Sequence, residues 1–174
     1  MGGLLTMPIT GALVTKPGSL SAPTAGWTSG YRSRFKHENE EASPGYYSGL
    51  LHDYNIRVEL TTTLRTGFQR YTFPEAQEAY ILFDLEFPTE YGFEVLDANI
   101  KKVSNTEIEG YVKQRSTSYN EYTVHFVAKV DRPFESMGSW EGELVQRNIR
   151  EVSGDGDMGV FMQYSTDEGE IINL

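Results

Sequence analysis

Hydrophobic and polar residues alternate with a period of two along several short segments of the chain. Ile56, Val58 and Leu60 alternate with polar residues, and segment 122–130 repeats the pattern with His125 on its polar side. Such alternation is typical of a strand that buries one face. No segment of helical length carries apolar residues at positions i, i+3, i+4 and i+7. The pattern therefore predicts strands and no long amphipathic helix.

Other segments complete this picture. Segment 80–87, YILFDLEF, is almost continuously apolar, which is typical of a strand covered on both faces. Gly, Pro, Ser, Thr and Asp dominate segments 16–30 and 153–159, which we interpret as loops. The fold class that follows is all-β, a single antiparallel β-sandwich domain over residues 1–174. Further strands are predicted at 68–73, 105–113, 160–164 and 170–174.

Charge and composition exclude several classes of function. The formal net charge is −10, and an acidic protein repels phosphate backbones, so we expect no nucleic-acid partner. The chain has no cysteine, which excludes disulfides, thiolate metal sites and cysteine nucleophiles. No apolar run reaches the length of a membrane span. The first residues lack a basic region and include Pro8, so they predict a strand rather than a signal peptide.

Segment 35–51, FKHENEEASPGYYSGLL, concentrates acidic and polar residues in an otherwise strand-like chain. It could be an acid/base cluster, a carbohydrate platform or a polar turn. Glu38, Glu40 and Glu41 are too close in sequence to flank a sugar from both faces, as glycosidase carboxylates do. We therefore favour solvated turn residues and predict no catalytic residue here.

The same segment contains a turn signal of its own. Proline fits position i+1 of a type II turn and glycine fits the positive φ of position i+2. Ser43-Pro44-Gly45-Tyr46 is therefore predicted to be a type II turn that starts a strand. Successive strand residues point to opposite faces, so we expect either Tyr46 or Tyr47 to lie in the core.

No metal site or nucleophile emerges from the remaining motifs. The three histidines, His37, His52 and His125, lack metal-ligand spacing. Segment 155–159 resembles the start of a calcium loop, but Thr166 stands where that loop needs glutamate. Tryptophans could stack on sugar rings or simply cap the sandwich. The carbohydrate or cleft-side candidates are Trp27, His37, Glu38, Glu40 and Trp140.

Two long motifs resemble the N-terminal domain of glycoside hydrolase family 92, the bacterial calcium-dependent α-1,2-mannosidases. Segment 30–48 is similar to the family pattern S-x-F-S-H-x-N-E-x-A-x-P-G-Y-Y, and segment 54–74 to E-L-T-A-T-x-R-x-G-x-H-R-Y-T-F-P. Lys36 replaces the usual Ser and Gln69 a frequent His. YILFDL, SNTEIEGY, HFVAKVDRPF and the opening GGLLTMP also resemble the family, so the similarity covers nearly the whole chain.

The resemblance carries its own expectations. It implies a galactose-mutarotase-like supersandwich that packs on and supports a catalytic helical-toroid domain absent from these residues. That absent domain would carry the general acid, the general base and most contacts to Ca, and this fragment alone would hold no cofactor. The expected partners are that catalytic domain, mannose-containing glycans and a second copy bound through the exposed interdomain face. The expected location is the periplasm or cell surface of a bacterium.

Two other functions remain open from the sequence. A stand-alone carbohydrate-binding module would use Trp27, Trp140 and the tyrosines as its platform. An interaction domain without a small ligand would instead expose a large apolar patch to a protein partner. Binding measurements and the exposed surface distinguish these two possibilities.

Overall fold

The structure, a computed structural model, describes residues 4–18, 30–86, 93–116 and 120–174. These residues form strands and one short 3-10 turn, His37–Asn39, and they contain no α-helix. Each strand register that the structure defines is antiparallel. The all-β, antiparallel β-sandwich class predicted from the sequence is thereby confirmed. No helix in the described ranges has the length and hydropathy of a bilayer span.

The strands form three sheets. Their orders are β1-β6-β13-β10-β11, β12-β7-β8-β9 and β14-β5-β4-β3-β2. The bounds in chain order are β1 (Leu5–Thr10), β2 (Glu41–Ser43), β3 (Tyr46–Leu51), β4 (Ile56–Thr62), β5 (Gly67–Phe73), β6 (Ala76–Asp84), β7 (Phe93–Ser104), β8 (Glu107–Ser116), β9 (Glu121–Lys129), β10 (Ser136–Glu141), β11 (Leu144–Gln146), β12 (Glu151–Gly154), β13 (Met158–Thr166) and β14 (Glu170–Asn173).

The chain divides into two compact units. Unit 1 comprises Met1–Met7, Tyr80–Lys129 and Pro133–Gln163, and unit 2 comprises Pro8–Ala79, Val130–Arg132 and Tyr164–Leu174. Each unit has its own buried side chains.

Unit 1 contains the four-stranded sheet β12-β7-β8-β9. Alternate residues of its central strands are fully buried, because the period of a strand places them all on one face. These are Ala98, Ile100, Ile108 and Val112. The buried amide of Gln114 donates a hydrogen bond to the Leu85 carbonyl at 2.9 Å, which satisfies a polar group that would otherwise destabilise the core.

Unit 2 contains the five-stranded sheet β14-β5-β4-β3-β2. One face of this sheet is buried and consists of Ile56, Val58, Tyr71, Phe73 and Ile172. The Tyr71 and Phe73 rings meet edge to face at 6.3 Å because they lie two residues apart on the same strand. The opposite face carries polar residues such as Arg57 and Glu59. This arrangement is the half-buried strand that the alternation at Ile56 predicted.

Several strand predictions are confirmed. Tyr80 to Phe83 are fully buried in β6, as expected for a strand covered on both faces. In β9 the side chains of Tyr122, Val124 and Phe126 are more covered than their neighbours, and His125 is exposed. The prediction that His125 lies on the face opposite the core is therefore correct.

The prediction of a loop at 153–159 is wrong at both ends of the segment. Ser153 and Gly154 complete β12, and Met158 starts β13. Met158 and Gly159 pair with Glu141 and Trp140 of β10, so tertiary pairing overrides the local preference of a glycine-rich segment. In the other predicted loop, 16–30, residues 19–29 lie outside the described part of the chain.

Candidate functional site

The HENE turn, which we define as His37 to Glu40, is the polar feature at the centre of the motif that the sequence singled out. It forms one 3-10 turn directly before β2. The amide of Asn39 donates to the Lys36 carbonyl at 2.9 Å, and the amide of Glu40 donates to the His37 carbonyl at 3.2 Å. The backbone on either side, at Lys36 and Glu40, is extended. The turn is therefore a tight protrusion between two extended segments of unit 2.

Glu40 joins the exposed histidine of this turn to the sheet. Its Oε2 lies 2.5 Å from His37 Nδ1, and its Oε1 accepts a hydrogen bond from the Tyr47 hydroxyl at 2.6 Å. The His37 side chain is 91% exposed, whereas that of Glu40 is only 21% exposed. Because an ionised carboxylate only accepts hydrogen bonds, Nδ1 of His37 must carry the proton. That tautomer leaves Nε2 as the second, open nitrogen of the ring.

The hydrogen bonds to Glu40 favour its ionised form. Hydrogen bonds from Tyr47 and then from His37 lower the pKa of Glu40 below its ordinary value. The same contact with Glu40 raises the pKa of the Tyr47 hydroxyl. The general acid of a glycosidase needs the opposite, a raised carboxyl pKa that keeps its proton near neutral pH. Glu40 is therefore suited to orienting His37 and not to donating a proton.

Two pairs of residues connect the HENE turn and the chain before it to the segment after β3. Arg34 binds Asp53 through its backbone amide at 2.6 Å and through its guanidinium at 2.8 and 2.5 Å. This pairing lowers the pKa of Asp53. The side chain of Asn39 lies 3.1 Å from Nε2 of His52. Both His52 and Asp53 follow β3, so the chain after this strand positions the HENE turn.

Glu38 has a different environment from Glu40. Its carboxylate lies 3.5 Å from the Lys36 ammonium, and the two side chains are 71% and 63% exposed. Exposed ion pairs of this kind contribute little to stability. Glu41, the first residue of β2, is exposed as well. The structure therefore brings Glu40 together with His37 and leaves Glu38 and Glu41 as solvated charges. The prediction that Glu40 is also a solvated turn residue is wrong, because His37 and Tyr47 engage its carboxylate.

The prediction that Tyr46 or Tyr47 lies in the core is wrong, because both are only half-buried. The Tyr46 hydroxyl donates to Glu59 Oε1 at 2.9 Å, as Tyr47 does to Glu40. Each ring thus keeps its hydroxyl near the surface, where a carboxylate accepts its hydrogen bond. The turn before them agrees with the prediction, since Gly45 has a φ of +81°.

Of the two tryptophan candidates, only Trp140 belongs to the described part of the chain. Trp27 lies outside the described residues. Trp140, on β10 of unit 1, is only 1% exposed, so neither face of its indole is open to a sugar ring. Its Nε1 is buried and has no hydrogen-bond partner among the described residues. The capping role that the sequence left open is the one compatible with this burial.

Sequence reasoning did not select Arg34, Tyr47 or Asp53 as residues of the candidate site. Tyr47 lies seven positions after Glu40 in the same motif, and only the hairpin geometry brings them together. Arg34 and Asp53 are 19 residues apart. Opposite charges at such a distance give no local signal, so their pairing required the tertiary structure.

The described residues also bear on metal binding. Among the residues at 4–18, 30–86, 93–116 and 120–174, no three His, Asp or Glu side chains converge closely enough to hold a metal ion. Calcium prefers six to eight oxygen ligands. These described residues therefore do not fit a complete calcium site.

Comparisons with known proteins relate the whole chain to one family. The model of the glycosyl hydrolase family 92 N-terminal domain matches residues 1–174. The chain is also similar to the family GH92 α-mannosidase BT3965 from Bacteroides thetaiotaomicron, with 27% identity and a TM-score of 0.86 over 99% of this chain. No curated protein matches it significantly.

Two further solved structures show the same fold. The family GH92 inverting mannosidase BT2199 from Bacteroides thetaiotaomicron has 16% identity and a TM-score of 0.71 over 98% of this chain. The GH92 family glycosyl hydrolase ccman5 has 24% identity and a TM-score of 0.73 over 99% of it. The chain covers only 23%, 20% and 24% of the three proteins. With the family model matching along its whole length, the chain belongs to the glycosyl hydrolase family 92 N-terminal domain family.

Proposed function

We propose that this chain is the N-terminal β-sandwich of an α-mannosidase and that it packs on and supports the catalytic domain of that enzyme. One observation carries the proposal: 99% of the chain matches an α-mannosidase at a TM-score of 0.86, yet covers only 23% of it. The chain thus corresponds to one part of a larger enzyme. The lowered pKa values of Glu40 and Asp53 disfavour acid catalysis by these two groups.

Within this role, the HENE turn is the element that we propose to face the cleft. The His37 ring is 91% exposed, while Glu40 and Tyr47 fix its tautomer and orientation. An oriented imidazole whose open Nε2 carries no proton can accept a hydrogen bond from a substrate hydroxyl without first losing rotational freedom. His37 would then position α-linked mannose and leave bond cleavage to the catalytic domain.

The direct test is hydrolysis by the chain alone. We expect residues 1–174 to release no mannose from α-1,2-mannobiose, with or without added calcium, because the pKa of Glu40 is lowered and the proposal assigns the general acid and base to the catalytic domain. Circular dichroism and a cooperative melting transition provide the control for folding. Robust turnover by the purified chain would overturn the proposal.

A second test addresses the HENE turn in an enzyme that contains this domain together with its catalytic domain. We expect His37→Ala to raise KM for mannobiose and to reduce kcat/KM. Glu38→Ala is the matched control, since Glu38 lies beside His37 but its carboxylate is paired, among the described residues, only with Lys36. Equal kinetics for the His37→Ala and Glu38→Ala enzymes would contradict a cleft-facing turn and leave the domain assignment intact.

Cofactor and location follow as further parts of the same proposal. The complete enzyme would depend on calcium held by the catalytic domain, so chelation should abolish mannosidase activity and calcium should restore it.

The enzyme would reside in the periplasm or at the surface of a bacterium that degrades mannose-containing glycans. Cell fractionation followed by mannosidase assay tests this location, and activity confined to the cytoplasm would contradict it.

Carbohydrate binding by the domain itself is the second candidate function. The observation that favours it is a partly open polar and aromatic surface on the four-stranded sheet of unit 1, away from the buried Trp140.

A further inference from the structure

On the outer face of the four-stranded sheet in unit 1, ion pairs cover both ends and leave the central region exposed. We call this surface the open face; it consists of alternate residues of β7, β8, β9 and β12 that point away from the buried side chains. At one end, Arg115 bonds to Glu94 at 3.0 Å and to Glu121 at 2.9 Å. At the other end, Nζ of Lys129 lies 3.1 Å from Oε2 of Glu107. Cross-strand ion pairs thus occupy both ends.

The centre of the open face forms a shallow depression. Its volume is about 340 Å³, near the lower limit for small-ligand sites. Aromatic, aliphatic, charged and amide side chains from three strands surround it, so it combines an apolar surface with polar groups. The side chains that matter for recognition are Asn99, Lys101, Glu109, Tyr111, His125 and Val127.

Tyr111 provides a rigid aromatic surface in this depression. Its hydroxyl donates to Asp97 Oδ2 at 2.8 Å, and its ring meets that of His125 at 5.7 Å with a tilt of 47°. The bond to Asp97 raises the pKa of Tyr111. A ring that is held at its hydroxyl and along its side loses little conformational entropy when a ligand stacks on it.

Hydrogen-bonding groups next to this ring are open. Lys101 and Glu109 are direct cross-strand partners, yet they form no ion pair with each other or with any other residue in the described ranges. Asn99 donates from Nδ2 to Glu151 and to Ser153, each at 2.8 Å, and no described residue donates to its Oδ1. An ammonium, a carboxylate and an amide oxygen therefore remain available at one place.

We propose that this depression binds a neutral saccharide, with one sugar ring stacked on Tyr111 and its hydroxyls bonded to Asn99, Lys101 and Glu109. A pyranose has an apolar C–H face and a rim of hydroxyls that both donate and accept hydrogen bonds. The depression offers the matching set, including the apolar side chain of Val127, which is 57% exposed. Lys101 and Glu109 cancel in charge, and the net charge of −10 disfavours acidic sugars.

The proposal concerns a binding site of this chain and does not depend on mannosidase activity. Methyl α-mannoside and α-1,2-mannobiose would be titrated into the ¹⁵N-labelled chain, with amide shifts followed by NMR. We expect saturable shifts at residues 99–101, 109–111 and 125–127. Methyl α-glucuronide is the charged comparison, and we expect it to bind more weakly because it brings a second carboxylate next to Glu109.

Variants assign the binding to individual side chains. Tyr111→Ala should weaken binding about tenfold or more, which corresponds to about 1.4 kcal/mol. Glu109→Ala and Lys101→Ala should weaken binding and leave the fold intact, because both side chains are exposed and unpaired in the described structure. Phe68→Ala is the matched control, since Phe68 is an exposed aromatic on β5 of unit 2. Its substitution should leave the affinity unchanged.

Each outcome is decisive. Saturable shifts at the open face that Tyr111→Ala, Lys101→Ala and Glu109→Ala weaken would support the site. Shifts at other residues, equal affinity of the Glu109→Ala and Phe68→Ala chains, or tighter binding of the glucuronide would overturn it. The absence of any saccharide-induced shift would overturn it as well. Should Tyr111→Ala fail to fold, Glu109→Ala and Lys101→Ala still test the proposal.

Discussion

Glu40 fixes the orientation of the exposed His37 ring. Both of its oxygens are engaged, one by His37 and one by Tyr47. The contact with Tyr47 ties the turn to strand β3, while Glu38, two residues earlier, has no comparable support. Residues of the same type in one short motif therefore have different roles, which follow from their partners and not from the local sequence.

The pH dependence of stability should report this difference. The folded pKa of Glu40 is lower than its ordinary value of 4.5, so the carboxylate stabilises the fold above about pH 4.5. This contribution is lost as the pH falls through the folded pKa. Glu40→Gln should therefore lower the Tm at pH 7, and the gap between its Tm and that of the wild type should close at low pH. Thermal melts across pH 2–7 measure this.

Glu38→Gln is the matched control for this series. Its Tm should follow that of the wild type at every pH, because its only described contact is an exposed ion pair at 3.5 Å. A constant gap between Glu40→Gln and the wild type at all pH values would show that the ionised form of Glu40 is not what stabilises the turn.

Packing around Trp140 gives a second prediction at the scale of single residues. A methyl group on Gly159 would lie 2.2 Å from Cζ2 of Trp140 and 2.5 Å from the Phe83 carbonyl oxygen. Neither neighbour can move freely, since one is a buried indole and the other is backbone. Gly159→Ala should lower the free energy of unfolding by about 1–3 kcal/mol or more, as measured by urea denaturation.

Gly67→Ala is the comparison for this packing effect. Gly67 is also a strand residue, but nothing lies within 4 Å of a methyl group placed there. Its substitution should be nearly neutral or slightly stabilising, because alanine reduces the entropy of the unfolded chain. Equal losses of stability in the two variants would contradict a specific clash with Trp140.

Among the elements, the β2–β3 hairpin depends most clearly on one backbone conformation. Proline at position 44 restricts the turn to a negative φ there, and Gly45 then takes a φ of +81°. No atom lies within 4 Å of a methyl group added to Gly45. A loss of stability in Gly45→Ala would therefore come from the left-handed backbone and not from a clash.

We expect Gly45→Ala to destabilise the chain by about 1–2 kcal/mol in urea denaturation, the cost of a left-handed conformation for a residue with a Cβ. Gly45→Asn should lose less, because asparagine tolerates this region better than alanine. If alanine and asparagine had the same effect, the type II geometry of the turn would not be what stabilises the hairpin.

The elements also show which parts of the fold could be predicted. Strands β4, β6 and β9 were predictable because one face, or both, is buried and the apolar pattern records it. Strand β7 was missed, since DANIKK mixes charges into it and its register shifts between Val95 and Asp97 and between Lys102 and Ser104. A bulge of this kind breaks the period of two on which the prediction rests.

The candidate site was predictable to a smaller extent. The motif selected His37 and Glu40, which the structure places in contact. It could not select between Glu38 and Glu40, because the decisive partner, Tyr47, comes from the folded hairpin. Likewise, the burial of Trp140 depends on Gly159 and other residues distant in sequence. Contacts between distant segments therefore account for what the sequence left open.

At the scale of the whole molecule, family membership and charge together determine the expected behaviour in solution. The chain carries a formal net charge of −10, so copies repel one another at low ionic strength. Exposed apolar side chains nevertheless exist in unit 2, with Phe68 at 45% and Ile171 at 49%. Strand registers place both on the solvent face of the five-stranded sheet. This face is our candidate for contact with the catalytic domain or, in its absence, with a second copy.

We therefore predict weak self-association that increases with salt. The Debye length falls from about 10 Å at 0.1 M salt to about 3 Å at 1 M, which removes the repulsion but not the attraction between apolar side chains. Light scattering at high protein concentration should show a rising mean mass with salt for the wild type and not for Phe68→Ser/Ile171→Ser. Val103→Ser, which removes a similarly exposed apolar side chain in unit 1, should behave like the wild type. A strict monomer at every salt concentration would contradict association through this face.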